Sequence, residues 1–223
     1  MTDFKDRVLR TAERIERVEP FLAMDVLAAA AAKERRGESV IHMEVGQPSA
    51  LVPRLVREAA SRALAEGRIG YTEALGIGPL RERIARHYRD TYGVAVAPER
   101  VVVTTGSSAG FLLAFLTLFD RGARVAISAP GYPAYRNILT SLELEPVPVA
   151  LRAADGWRMN ADAIEAAHAA APLAGVLAMS PANPSGTMIS RSGLADLAAS
   201  CRSAANQSSQ SVPSGWPRSS QRW

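Results

Sequence analysis

The chain is poor in the residues that build covalent or metal scaffolds. One cysteine, Cys201, among 223 residues permits no internal disulfide and no metal-ligand spacing, and a reducing compartment suits it best. Lysine is nearly as scarce. Lys5 and Lys33 are the only two, so the formal charge of +4 comes almost entirely from arginine. Those arginines are spread among glutamates, as in Arg81-Glu82-Arg83, and no basic block is interleaved with aromatics. The pattern is that of solvated helix faces rather than a nucleic-acid footprint. Long hydrophobic runs are also missing: the longest, Ala109 to Phe119, falls well short of the ~20 residues of a membrane span. The first twenty residues are too charged for a signal peptide. The expectation is a cytoplasmic, soluble protein with no nucleic-acid, membrane or metal partner. What remains is 48% hydrophobic and 22% charged, a globular make-up with enough chain to bury a core.

Pro20 to Arg36 reads as an alanine-rich helix stopped by Gly37. Val40 to Val45 predicts a short strand leading into Gly46-Gln47-Pro48. Helices follow over Pro53–Glu66 and Gly78–Tyr92, each ended by a glycine, and the β-branched run Val101–Thr105 predicts a buried strand. The pattern then alternates. Helices over Ser107–Phe119, Pro133–Leu142 and Asn160–Ala170 are separated by strands at Arg124–Ser128, Glu145–Val149 and Ala174–Met179. A last helix begins near Ser190, with Ser190 or Ser192 as its cap. This spacing indicates βαβ units, an α/β fold with a mainly parallel sheet and flanking helices. After Arg202 the chain turns serine-rich: Ser203 to Trp223 lacks helical or strand periodicity and holds two of the three tryptophans. It reads as a disordered tail or, because the βα alternation stops abruptly at a sheet edge left uncovered, as out-of-frame translation.

Ligands of such sheets lie beyond the carboxyl ends of the strands, which directs attention to three loops. Thr104-Thr105-Gly106-Ser107-Ser108 opens a helix, where unpaired N–H groups and the helix dipole suit a phosphate. A tight turn with an N-cap would look the same. Pro130-Gly131-Tyr132-Pro133 holds a tyrosine between prolines, placed either to stack on a flat ligand or to pack under its loop. In Ala182-Asn183-Pro184-Ser185-Gly186 the asparagine precedes proline and is held extended, either aiming its amide at a ligand oxygen or making a simple turn.

The order of Val45-Gly46-Gln47-Pro48, Tyr71-Thr72-Glu73-Ala74-Leu75-Gly76-Ile77 with Leu80-Arg81, Thr105-Gly106-Ser107-Ser108, Pro130-Gly131-Tyr132-Pro133 and Asn183-Pro184-Ser185-Gly186 resembles class I/II aminotransferases. These are pyridoxal-phosphate-dependent enzymes of fold type I, and the likeness covers roughly residues 15 to 200. The resemblance implies an incomplete large domain: 1–45 as an N-terminal arm and part of the small domain, 46–202 as part of the cofactor-binding domain, 203–223 as an aberrant or disordered tail. It also implies residue roles. Gly106, Ser107 and Ser108 would cradle the phosphate of pyridoxal 5'-phosphate, Tyr132 would stack on its ring, and Asn183 would donate to its phenolic oxygen. Gly46 would lie by the substrate carboxylate. Tyr71 would reach the phosphate in the partner subunit of a homodimer.

Departures matter as much. Gln47 stands where the family often has an acidic residue. No Asp-Glu-x-Tyr segment follows the Asn183 loop, no lysine follows a serine-rich stretch, and no downstream arginine sits where it could clamp a substrate carboxylate. The function implied is amino transfer from an amino acid to a 2-oxo acid, with this chain expected to be truncated and inactive alone because the family's cofactor-binding lysine is missing. A carbon–sulfur lyase using the same cofactor, a non-catalytic remnant or a dimerising interaction module remain alternatives.

Overall fold

The computed structural model describes residues 11–67 and 70–210, with side chains described through Ala204. By contacts the chain forms two units: Phe21–Gly110 is one, and the residues up to Pro20 together with those from Phe111 onward are the other.

The second of these holds a three-stranded parallel sheet. β1 (Arg124–Ala129) is central, β2 (Glu145–Ala150) pairs along its whole length, and β3 (Gly175–Val176) pairs on its other side. Successive side chains of a strand point to opposite faces. Val125 and Ile127 accordingly join Phe115, Leu139 and Leu144 on one face. Ala126 packs with Val149, Leu151, Met159, Ile164, Ile189 and Leu197 on the other. The first layer comes from the body of α4 (Ser107–Leu118) and from α5 (Pro133–Ser141), the second from α6 (Ala161–Ala170) and α7 (Arg191–Gln210). This is an α/β/α sandwich built on a parallel sheet, as the alternation predicts.

Local chemistry fixes the element ends. Pro133 occupies the first turn of α5, where its missing N–H has no partner to lose. Asn160 caps α6 by accepting the Ala163 N–H at 2.9 Å. Ser190, rather than Ser192, caps α7 by accepting the Gly193 N–H at 3.1 Å. A short 3₁₀ turn at Glu13–Arg17 leads to Glu19, whose carboxylate pairs with Arg136 and whose carbonyl accepts from the Asn137 amide at 2.9 Å.

The unit Phe21–Gly110 contains α1 (Leu22–Arg35), α2 (Arg54–Glu66) and α3 (Gly78–Tyr92), as the sequence predicts. Only two of its described hydrophobic residues, Ala30 and Ala85, are buried. The strand expected at Val40–Val45 does not form; the stretch is irregular, bends at Glu44 and Val45, and pairs with no strand among the described residues. Val101–Thr105 is likewise not a buried sheet strand, and Val102 and Val103 are exposed. Its polar groups are met without a ladder. The Val103 N–H donates to the Leu75 carbonyl at 2.9 Å, and Arg81 Nε donates to the carbonyls of Pro98 and Val101, both at 3.1 Å. β-Branched residues make the backbone extended, but a ladder also needs a neighbouring strand. Two further differences concern the later part of the chain. β3 is shorter than the strand expected over Ala174–Met179, although the Ala174 and Leu177 N–H groups still donate to Arg124 and Ala126 at 2.8 Å. α7 continues through Gln210, past the expected end of regular structure at Arg202, and the rest of the expected tail, 211–223, lies outside the described residues.

Candidate functional site

The Tyr132 loop directly follows β1, and the Asn183 loop lies further along the chain that leaves β3, the parallel neighbour of β1. Tyr132 is the residue before α5 and is half-buried. Its ring meets that of Tyr135 edge-on, 5.3 Å between centroids, and Tyr135 in turn meets Phe111 at 4.6 Å. The Tyr135 hydroxyl donates to Met179 Sδ at 3.2 Å, which ties the start of α5 to the chain leaving β3. Burial, and secondarily the neighbouring Tyr132, push the Tyr135 phenol above its ordinary value, so it stays a neutral donor.

The Asn183 loop closes on itself. The Ala182 N–H donates to the Thr187 carbonyl at 2.9 Å and the Gly186 N–H to the Ala182 carbonyl at 2.7 Å. Thr187 Oγ1 contacts Ser185 Oγ at 2.8 Å and donates to the Trp157 carbonyl at 3.0 Å. Ser180 Oγ accepts the Ile189 N–H at 3.0 Å just before the loop. Asn183 itself is exposed on this braced loop. Cis peptide bonds precede Pro130, Pro181 and Pro184.

The other predicted residues lie in the unit Phe21–Gly110 and are exposed there. Gly106 has φ +84°, a left-handed conformation, with open space where a side chain would stand. Thr104 Oγ1 donates to the Gly106 carbonyl at 2.8 Å and shapes the turn. Ser107 and Ser108 open α4, whose first N–H groups have no acceptor within the helix. The segment entering this turn is the extended stretch 101–105 rather than a sheet strand. Gly46 has no atom within 4 Å of the place a Cβ would take and no positive φ, so neither a turn nor packing requires glycine there. Tyr71 is fully exposed.

Sequence reasoning did not single out Tyr135, Thr187 or the structural use of Arg81. Each acts through a partner distant in the chain, so no local pattern marks it. A cavity of about 800 Å³ lies between α6, α7 and the outer edge of β3, lined by Ile164, His168, Leu173, Gly175, Ser200 and Cys201. His168 Nδ1 accepts the Leu173 N–H at 3.1 Å, and burial raises the Cys201 thiol above its ordinary value. That cavity contains none of the predicted site residues. Among the described residues no group of three or more His, Cys, Asp or Glu is placed to hold a metal ion, and no helix is long and apolar enough to cross a membrane.

Residues 38–206 match the family model for aminotransferase class I and II. The chain is 47% identical over 184 residues to a valine–pyruvate aminotransferase of Mycobacterium tuberculosis, covering 82% of this chain and 47% of that protein. Among solved structures, an aminotransferase from Mycobacterium tuberculosis superposes with a TM-score of 0.82 at 46% identity, covering 87% of this chain and 50% of the other. The aspartate aminotransferase from Thermus thermophilus with maleate gives a TM-score of 0.81 at 27% identity, over 87% of this chain and 51% of that one. The chain thus spans about half the length of the curated relatives it matches.

Proposed function

The chain belongs to the class I and II aminotransferase family, and we propose that its loops hold pyridoxal 5'-phosphate for transfer of an amino group from an amino acid to a 2-oxo acid. The observation that supports this reading is the pair of braced loops, one carrying Tyr132 directly after β1 and one carrying Asn183 on the chain that leaves β3. The residues suit the cofactor part by part. A flat pyridine ring calls for an aromatic face beside a hydrogen-bond donor, and Tyr132 and Asn183 supply these. A phosphate calls for free N–H groups with no side chain in the way, and the Gly106 turn with Ser107 and Ser108 supplies those. When bound, the cofactor serves as the electron sink for bond cleavage at the substrate's α-carbon.

In this reading Tyr132 orients the ring, and Asn183 donates to the phenolic oxygen and stabilises charge there. Gly46 leaves room for the substrate carboxylate, and exposed Tyr71 reaches toward the cofactor phosphate of a second copy in a homodimer. Residues 1–45 then form an N-terminal arm with part of a small domain, and 46–202 part of the cofactor-binding domain. Cytoplasmic residence accompanies this function.

A second reading, that this polypeptide by itself is not catalytic, is favoured by its lysines. Lys33 lies on α1 with Glu38 at 4.0 Å and Lys5 precedes every motif, so neither follows the Asn183 loop. Titration of the chain with pyridoxal 5'-phosphate is expected to show saturable binding that inorganic phosphate competes away. Asn183→Ala is expected to weaken it about tenfold, the worth of one hydrogen bond to a charged oxygen. Borohydride reduction followed by mass spectrometry is expected to leave Lys5 and Lys33 unmodified. Binding that is indifferent to Asn183→Ala and to Gly106→Val would remove the site assignment.

A further inference from the structure

His42 lies in the irregular stretch after α1, four residues ahead of Gly46, and its ring spans two carboxylates. Nδ1 is 2.6 Å from Glu44 Oε1, and Nε2 is 3.0 Å from Glu34 Oε1 in the last turns of α1. An ionised carboxylate only accepts, and a neutral imidazole has one N–H. Both contacts are hydrogen bonds together only when both ring nitrogens carry a proton. The geometry is that of an imidazolium.

Little else holds this stretch. Among the described residues, 39–47 makes no backbone–backbone hydrogen bond outside itself or within. Ile41 and Met43, flanking His42, are 87% and 89% exposed, and of the stretch's apolar side chains only Val40 and Val45 are half-buried. Glu44 is the fixed end: Oε2 accepts the Met43 N–H at 2.9 Å, and its side chain is only 9% exposed, against 49% for Glu34. The cations at the end of α1 do not compete for these carboxylates. Lys33 and Arg36 both face Glu38, at 4.0 and 2.8 Å.

We propose that His42, held as an imidazolium between Glu34 and Glu44, is a positioning residue that ties the stretch carrying Gly46 to the end of α1 and releases it when the ring loses its proton. The bonds to Glu44 first and Glu34 second raise the His42 pKa from its ordinary value of 6.5. The bond to His42 is the first cause that lowers Glu44 from 4.5. The signs then define a window. The imidazolium's contribution is complete below 6.5 and is lost as pH rises through the raised value. The Glu44 contribution is complete above 4.5 and is lost as pH falls through the lowered value. The tether is fully formed between those two ordinary values and opens on the alkaline side. Its consequence for a ligand rests on the reading of Gly46 as the position beside the substrate carboxylate; the tether itself does not.

A pH titration of the chain by NMR tests it, following the His42 ring and the Gly46 amide. The expected result is a His42 midpoint above the ordinary imidazole value, with the Gly46 amide moving at that same midpoint. In Glu34→Gln, a change at an exposed position, the His42 midpoint is expected to fall and the Gly46 amide to stop following it. An ordinary His42 midpoint in the unaltered chain, or a Gly46 amide whose titration is the same in Glu34→Gln, overturns the tether. Binding of a 2-oxo acid such as pyruvate, measured across the same range, separates the two claims. If the tether titrates as described while that affinity stays flat, the reading of Gly46 fails and the tether stands.

Discussion

Asn160 and Gly76 show how single residues fix this chain. Asn160 Oδ1 accepts the Ala163 N–H at 2.9 Å and satisfies one of the donors that every helix start leaves open. Asn160→Ala is expected to cost about 1 kcal/mol, read as a lower midpoint in urea. Gly76 carries φ +100°, and a Cβ there would lie 2.6 Å from Val103 Cγ2. Gly76→Ala therefore meets both backbone strain, ~1–2 kcal/mol, and a clash with Val103. The same urea measurement is expected to show Gly76→Ala as the more damaging of the two. Caps and turns of this kind are legible from sequence because their partners lie within a few residues. His42 is the opposite case. Its contact with Glu34 crosses eight residues and a change of direction, and a lone histidine before a glycine carries no sign of it.

Among the elements, the α/β alternation from Ser107 onward was readable because hydrophobic period and turn residues agree. Val125 and Ile127 face one helix layer while Ala126 faces the other, so the middle of β1 is apolar on both faces, as a strand covered on both sides must be. The two stretches misread as strands, Val40–Val45 and Val101–Thr105, fail for one reason. Side-chain type describes local extension, whereas a ladder depends on a second strand that the local sequence does not contain. Around 101 the partners are Leu75 and Arg81, side chain and loop rather than strand. α5 shows how much one helix contributes to the layer. Leu139 is completely buried between it and β1, next to Phe115 and Leu144. Leu139→Ala is expected to destabilise by about 2–5 kcal/mol through lost burial and the cavity left behind, measured by denaturant unfolding of the unit's near-ultraviolet signal.

At the scale of the whole chain, the two units differ in how much they bury. One has the two clusters that flank the sheet; the other buries Ala30 and Ala85 alone among its described hydrophobics, and α2 buries none. Amide exchange follows local burial and hydrogen bonding. The amides of β1 and β2 are expected to exchange slowest and those of α2 fast; comparable protection in both would contradict this division. The family was legible because several short motifs recur in a fixed order. Their joint geometry was not, since that depends on how separate segments pack. The central claim is the proposal that Tyr132 and Asn183, both in the unit that holds the sheet, take the ring of pyridoxal 5'-phosphate. The most direct measurement is a nitrogen-15 NMR titration of the chain with the cofactor. The account predicts saturable shifts concentrated at the amides of Tyr132 and the 182–187 loop. Shifts confined to other surfaces, or none at saturating cofactor, would contradict it.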